Sequence, residues 1–231
     1  GVGILHDEIR GVEGNFSQLL KTIVSLKRLE DRYDNFHLEL GTVVSNFNID
    51  YLDEIEDFVH GLGVECYRNE VAECRTEFFN LGDDITPPAE VYQKLIKEFA
   101  GKVEDNIGSK KSLAKTTEAL RVVYYEIAGK ILETGKQVIP CYAGVSNVHI
   151  NYDGGVWPCC VLGYEKEMGN LRDYEYDFQK LWRSPRAEEV RAYIKSQNCA
   201  CPLANQGYSN ILMHVPSLVK AGRKMLEFSR K

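Results

Sequence analysis

Residues 141–160 read CYAGVSNVHINYDGGVWPCC, and this stretch decides how the rest of the chain is interpreted. Two short strand-like runs flank Asp153 and Gly154, a pair typical of the type I′ turn that joins antiparallel strands. The stretch therefore predicts a β-hairpin. Because a hairpin brings its two ends together, Cys141 is expected to lie close to Cys159.

A second pair of cysteines, Cys199 and Cys201, follows in the sequence NCACP at residues 198–202. We expect this pair to lie on a helix after the hairpin and to complete a site of four thiolates. Four cysteine ligands suit either zinc or an iron-sulfur cluster. Zinc ribbons usually carry two CxxC motifs and this chain has none, so the pattern favours a cluster. The remaining alternative is a set of buried free thiols.

The other cysteines are expected to be structural. Cys159 and Cys160 are neighbours in a strand-like run, so their side chains should point to opposite faces and only one should be a ligand. We predict that Cys159 is the ligand and that Cys160 packs as a small apolar side chain. Cys66 and Cys74 occur singly, which favours a structural role for both.

Length, cysteine content and charge favour a metal-binding or redox protein and argue against a membrane or nucleic-acid role. The chain has 231 residues, seven cysteines and a net charge of −6. A chain of this length buries a core without disulfides, so the thiols indicate metal or redox chemistry in a reducing compartment, and we expect a cytoplasmic protein. No apolar run approaches the roughly 20 residues of a membrane span, and the dispersed basic residues argue against nucleic-acid or membrane partners.

Upstream of the hairpin, helical and strand patterns alternate, which predicts parallel βα units. Asn15 and Gln18 are expected to form a capping box at the start of the first helix. Asp50 is expected to cap the second helix. Two or three such units cannot close a barrel, so either the sheet is small or partner strands are missing. The predicted strands cover residues 36–45 and 64–71, and later helices cover residues 88–99 and 110–134.

Beyond residue 135 the alternation of strand and helix patterns gives way to a hairpin followed by helical segments. We therefore place a domain boundary near residue 138. Helical segments interrupted near Ser184 and Pro185 precede the cysteine pair, and a last helix is expected from Pro216. The predicted domains are residues 1–137 and 138–231.

Three pieces of the chain resemble radical SAM enzymes that carry a SPASM or twitch extension. They are GVGILHDEIRG at the start, GTVVSNFN at residues 41–48, and the ordered set C…DGGVWPC…MGNLRD…C.C. The resemblance implies an α/β fold. In it, residues 1–137 form the C-terminal part of a partial (β/α)6 TIM-like barrel with a helical linker. Residues 138–231 form a small auxiliary-cluster domain of a β-hairpin plus helices.

The resemblance also implies cofactors and partners. Cys141, Cys159, Cys199 and Cys201 would hold one auxiliary 4Fe-4S cluster. No cysteine follows Cys201, so the one-cluster twitch variant is the closer match. The full-length parent would bind S-adenosylmethionine and a second 4Fe-4S cluster, receive electrons from a flavodoxin or ferredoxin, and abstract hydrogen from a small metabolite or peptide with a 5′-deoxyadenosyl radical.

One departure from the family is decisive for activity. The CxxxCxxC motif that holds the S-adenosylmethionine cluster is absent, so the chain resembles the C-terminal portion of such an enzyme and should not generate the radical by itself. The alternative function, from a different class, is a non-catalytic zinc-binding module built on the same four cysteines.

The family's barrel carries its site at the C-terminal strand ends, which points to polar residues after the two predicted strands. By this resemblance Ser45, Asn46, Asn48 and Arg68 would bind the ribose or methionine carboxylate of the cofactor. The alternative is that the asparagines make turns and that Arg68 forms a solvated ion pair. No catalytic residue is identified.

Overall fold

The structure is a computed structural model that describes residues 1–64, 66–109 and 112–230. It is mixed α/β, mostly helical, with one two-stranded and one three-stranded sheet in the described ranges. No helix within these ranges has both the length and the apolar content that a bilayer crossing requires.

The chain divides into two compact units by packing. The first comprises Gly1–Ala72 and Asp84–Pro87, and the second comprises Glu73–Asp83 and Pro88–Lys231. The domain boundary placed near residue 138 from sequence stays a prediction.

The first unit contains one parallel pair of strands with helices between and before them. β1 and β2 pair in parallel, with Glu39 opposite Cys66 and Val44 opposite Val71. The predicted parallel βα arrangement is confirmed for these two strands, and the barrel stays a prediction. The elements are α1 (Gly3–Arg10), α2 (Asn15–Glu30), β1 (Glu39–Val44), α3 (Leu52–Gly61) and β2 (Cys66–Val71).

The start of α2 differs from the predicted capping box. Gly14 is the N-cap, with a φ of 76°, and Asn15 is already helical. The carboxylate of Asp7 accepts hydrogen bonds from the backbone N–H groups of Gly14 (2.7 Å) and Phe16 (2.6 Å). The side-chain oxygen of Asn15 is hydrogen-bonded to His6 Nε2 at 2.8 Å. Asp7 therefore satisfies the free N–H groups that a capping box would otherwise serve.

The second unit combines a helical layer with a small antiparallel sheet. Helix α5 packs against α4, α8 and α9. The elements of the second unit are α4 (Ala89–Asn106), α5 (Ser112–Thr134), β3 (His149–Ile150), β4 (Gly155–Trp157), β5 (Gly169–Asn170), α6 (Phe178–Trp182), α7 (Pro185–Lys195), α8 (Ala204–Met213) and α9 (Val215–Ser229).

Most predicted helices are present with shifted ends. The helix predicted over residues 88–99 continues to Asn106, and α8 was not predicted. The break near Ser184 is confirmed, because Ser184 caps α7 by accepting a hydrogen bond from the N–H of Ala187. Residue 65 of the strand predicted over 64–71, and residues 110 and 111 of the helix predicted over 110–134, lie outside the described residues.

The predicted hairpin is confirmed, but its turn is not type I′. That turn needs positive φ at both central residues, and here Gly154 has a φ of 90° whereas Asp153 does not have a positive φ. Instead Asn151 donates its N–H to the Gly155 carbonyl at 2.8 Å, which closes a longer loop. A third strand, β5, pairs with β4 and places Asn170 opposite Gly155.

The sheet and helices α6 and α7 enclose one apolar core. Its fully buried members include Val156, Met168, Leu181 and Ile194. Cys159 belongs to this core, and three further cysteines pack against its edge. Cys159 is therefore shielded from water, and Cys141, Cys199 and Cys201 are half-buried at the edge of the core.

Helices α5 and α8 approach closely at Gly207. A Cβ atom there would lie 2.8 Å from Tyr124 Cδ2, and Tyr124 is buried and donates its hydroxyl hydrogen to the Pro202 carbonyl at 2.8 Å. Only a residue without a side chain fits against this ring.

We predict that Gly207→Ala lowers the free energy of unfolding by about 1–3 kcal/mol, because the buried Tyr124 ring must move. The matched control is Gly222→Ala in α9, where a new Cβ meets no atom within 4 Å. This control should be neutral or more stable by up to about 1 kcal/mol, since alanine favours a helix over glycine. Chemical denaturation measures both values. Equal effects of the two substitutions would contradict the close approach.

Candidate metal centre

Four cysteines from three segments of the second unit converge at the edge of its core. Cys141 precedes β3, Cys159 follows β4, and Cys199 and Cys201 lie between α7 and α8. The expectation that the last two lie on a helix is wrong. Helix α7 ends at Lys195 and α8 begins at Ala204, so the pair occupies the loop between them.

The thiols are close enough to influence one another electrostatically. Burial, together with negative charge at Cys141 and Cys199, raises the pKa of Cys159 to about 12. Burial likewise raises the pKa of Cys199 to about 11, with Cys141 adding to the effect. The pKa of Cys201 is raised well above its ordinary value by burial, then by Glu73 and by the thiols of Cys159 and Cys141. Four thiolates here require a compensating positive charge.

On the hairpin side, backbone N–H groups donate to the sulfur atoms. The Cys159 sulfur accepts from the N–H groups of Val161 and Leu162, in the turn that follows β4. The Cys141 sulfur accepts from the N–H of Ala143. Such hydrogen bonds stabilise the thiolate form of a metal ligand.

In the loop between α7 and α8, the start of a helix and a side-chain amide supply N–H donors near the sulfur atoms. The Cys201 sulfur accepts from the N–H of Leu203, the N-cap of α8, where the free N–H groups of a helix favour negative charge. Gln137 Nε2 lies 3.9 Å from Cys199 Sγ and donates to the carbonyls of Cys199 (2.9 Å) and Ile194 (3.1 Å).

These observations test whether the residues fit a metal group. Each of the four sulfur atoms has at least one N–H donor, which suits a thiolate ligand set. Across the described ranges, no three Cys, His, Asp or Glu side chains are close enough to hold a single metal ion. Ligands of one zinc all lie about 2.3 Å from it. A cluster instead places iron and sulfide between its cysteines.

Cys160 has a different environment from Cys159. It is half-buried, and the charges of Glu77 and Arg75 act on it, so it does not pack as the small apolar side chain that was predicted. Arg75 also pairs with Glu73 at 3.2 Å. Glu73 is buried and adds negative charge at Cys201, although in the sequence it looks like part of a solvated charge run.

A pocket adjoins the cysteines between α5 and α8. Gln206 and Asn210, which sequence reasoning missed, are buried in its wall. Their spacing of four residues on the helix after the CAC motif places both on one face, which is the signal that points to them. The pocket is lined by Tyr124, Ile127, Ala128, Ile131, Gln137, Ile139, Cys141, Cys199, Ala200, Cys201, Pro202, Gln206, Gly207 and Asn210.

Two of the predicted cofactor-binding residues make the turn after β1. Asn48 Oδ1 accepts a hydrogen bond from the Ser45 N–H at 2.8 Å, and Asn48 Nδ2 donates to the Val43 carbonyl at 2.8 Å. Both Ser45 and Asn48 are buried. This is the turn chemistry considered as the alternative.

The other two predicted residues also have partners in the first unit. Asn46 Nδ2 donates to Asp84 Oδ1 at 3.0 Å. Arg68 lies opposite Gly41 within the sheet and pairs with Glu39 (3.2 Å) and Glu70 (3.1 Å). The role of all four residues in binding a cofactor stays a prediction.

Comparison with known proteins agrees with the geometry. Residues 141–202, which include all four converging cysteines, match the SPASM iron-sulfur cluster-binding domain. The chain is 28% identical over 191 residues to an AdoMet-dependent heme synthase from Oleidesulfovibrio alaskensis. The match covers 78% of this chain and 45% of the relative, so the chain spans about half the length of the curated relative it matches. No solved structure matches.

The four converging thiols lie within the part of the chain that matches an iron-sulfur cluster-binding domain. Residues 141–202 are similar to the SPASM iron-sulfur cluster-binding domain, and the chain as a whole is similar to an AdoMet-dependent heme synthase.

Proposed function

We propose that this chain is the C-terminal part of a radical SAM oxidoreductase or maturase, in which Cys141, Cys159, Cys199 and Cys201 hold one auxiliary 4Fe-4S cluster. The observation that carries the proposal is the convergence of these four thiols, each with an N–H donor, on one core edge within the matched SPASM region.

The chain's own residues bind, orient and shield the group. The hairpin presents Cys141 and Cys159, and the loop before α8 presents Cys199 and Cys201. The core around Val156 and Ile194 keeps water from the buried side. When bound, the auxiliary cluster supplies one-electron transfer and the parent's S-adenosylmethionine supplies hydrogen-atom abstraction.

The cluster count follows from the cysteine positions. Within this chain the four converging thiols provide ligands for one cluster, and Cys160 lies among charged residues instead. We therefore propose a twitch-like, single-cluster domain. A ligand set made entirely of cysteine favours electron transfer to or from a substrate radical over direct binding of substrate to iron.

Substrate and partners are proposed from the family. The substrate is a small metabolite or a peptide, and the similarity to an AdoMet-dependent heme synthase makes a heme-related tetrapyrrole the first small molecule to test. We further propose a cytoplasmic enzyme, containing the partial barrel, that takes electrons from a flavodoxin or ferredoxin. Ser45, Asn46, Asn48 and Arg68 remain the candidates for contact with S-adenosylmethionine.

The metal content of the chain tests the proposal directly. We expect the protein purified without oxygen to be brown and to contain about four iron and four sulfide per chain, since one 4Fe-4S cluster is bound. Iron, sulfide and zinc analysis with EPR of the reduced sample measures this. A colourless protein with stoichiometric zinc would instead establish the structural zinc module.

Substitution of the ligands gives a second test. We predict that Cys199→Ala with Cys201→Ala abolishes iron binding, because half of the ligand set is removed. The matched control is Cys160→Ala, which should keep nearly full iron content, since Cys160 contacts Glu77 and Arg75. Iron content after anaerobic reconstitution measures both. Loss of iron in the Cys160 variant alone would mean that Cys160 is the ligand.

The radical chemistry requires the full-length polypeptide. We expect it to cleave S-adenosylmethionine to 5′-deoxyadenosine when reduced, and to lose substrate turnover but retain this cleavage when Cys199 and Cys201 are both alanine. Chromatography of the products measures the two activities separately. Turnover that survives the double substitution would contradict a catalytic role for this site.

A further inference from the structure

Two hydrogen bonds fix the orientation of the Asn210 side-chain amide. Asn210 Oδ1 accepts two hydrogen bonds, from the backbone N–H of Tyr142 (2.8 Å) and from Gln206 Nε2 (2.8 Å). Both Asn210 and Gln206 are buried. Because the oxygen is committed to two donors, the orientation of the amide is determined and its NH2 group points the other way.

Asn210 and Cys141 line the same pocket. The Asn210 amide opposes the rise in the pKa of Cys141 that burial causes, as the backbone N–H of Ala143 does. Helix α8 thus places a side-chain amide beside a cysteine that the hairpin segment supplies. The link to Tyr142 ties the residue after Cys141 to the same amide.

Gln206 acts through Asn210 and makes no contact with a sulfur that the structure records. It is 2% exposed, and its Oε1 has no hydrogen-bond partner among the described residues. A buried amide with one unsatisfied oxygen costs free energy. The hydrogen bond from its Nε2 to Asn210 is the contact that gives the residue a role.

We propose that Asn210 sets the reduction potential of the cluster through a hydrogen bond to Cys141, and that Gln206 is the positioning residue that holds the Asn210 amide in the donating orientation. This inference rests on the proposed function, since it requires an iron-sulfur cluster at the four cysteines. It goes further by assigning residues that are not ligands.

The sign of the effect follows from charge. Reduction adds one negative charge to the cluster and its thiolates, and an N–H donor stabilises the reduced form more than the oxidised form. Removing the donor therefore makes reduction less favourable. The potential should become more negative while the four ligands stay in place.

The test compares the potential of the cluster-loaded chain with that of Asn210→Leu, which keeps a similar size without the donor. We expect the equilibrium constant for reduction to fall about tenfold, which is about 59 mV for a one-electron couple. Gln206→Leu should shift the potential in the same direction by a smaller amount. The matched control is Asn205→Leu, an exposed asparagine of the same helix, which should leave the potential unchanged.

Iron content and midpoint potential are measured on each sample by metal analysis and an EPR-monitored redox titration. Full iron content with a shifted potential supports the inference, because a purely structural role would alter retention of the cluster instead. If Asn210→Leu fails to fold or to load, the shift in Gln206→Leu decides, since an apolar replacement of a partly unsatisfied buried amide is tolerated.

The two proposals fail in different ways. A wild-type chain that binds zinc or no metal contradicts the proposed function, and with it this inference. A wild-type chain that loads the cluster, with the same potential in the Asn210 and Gln206 variants, contradicts the inference alone.

Discussion

The second unit is organised by the cost of burying four thiolates together. Burial raises the pKa of all four thiols, and the charge of neighbouring thiols adds to the effect at Cys159, Cys199 and Cys201. Charged groups in an apolar environment require paired charge and hydrogen bonds. The local backbone meets part of this need, since the turn after β4 and the start of α8 direct N–H groups at Cys159 and Cys201. A positively charged metal group, as proposed for this site, would meet the rest.

The surrounding helices hold these donors in position. Tyr124 of α5 donates a hydrogen bond to the Pro202 carbonyl and so anchors the loop beside Cys201. Gln137 joins the same loop to the end of α7 through the carbonyls of Cys199 and Ile194. Gly207 lets α8 approach α5 closely enough for this arrangement. Rigid support of this kind keeps ligands in place whether or not the group they bind changes charge.

A negative charge and several hydrogen-bond donors near the cysteines have opposite effects on the stability of negative charge at the sulfur atoms. Glu73, buried and paired with Arg75, adds negative charge near Cys201. The Asn210 amide and the backbone N–H groups act in the opposite direction at Cys141 and Cys159. The potential of an iron-sulfur cluster depends on this balance of net charge, hydrogen bonds and solvent exposure. These groups would adjust the potential of a cluster held at the four cysteines without any change of ligand.

The sequence by itself determined the parts that depend on local pattern and residue chemistry. The Asp153 and Gly154 pair predicted the hairpin, strand alternation predicted that only one of Cys159 and Cys160 is a ligand, and helical spacing predicted the main helices. Only the tertiary structure decided that β5 completes the sheet, that Glu73 is buried, and that Gln206 donates a hydrogen bond to Asn210 beside Cys141. These contacts join residues far apart in the chain, so their energies depend on packing between α5, α8 and the hairpin and leave no local periodicity to detect.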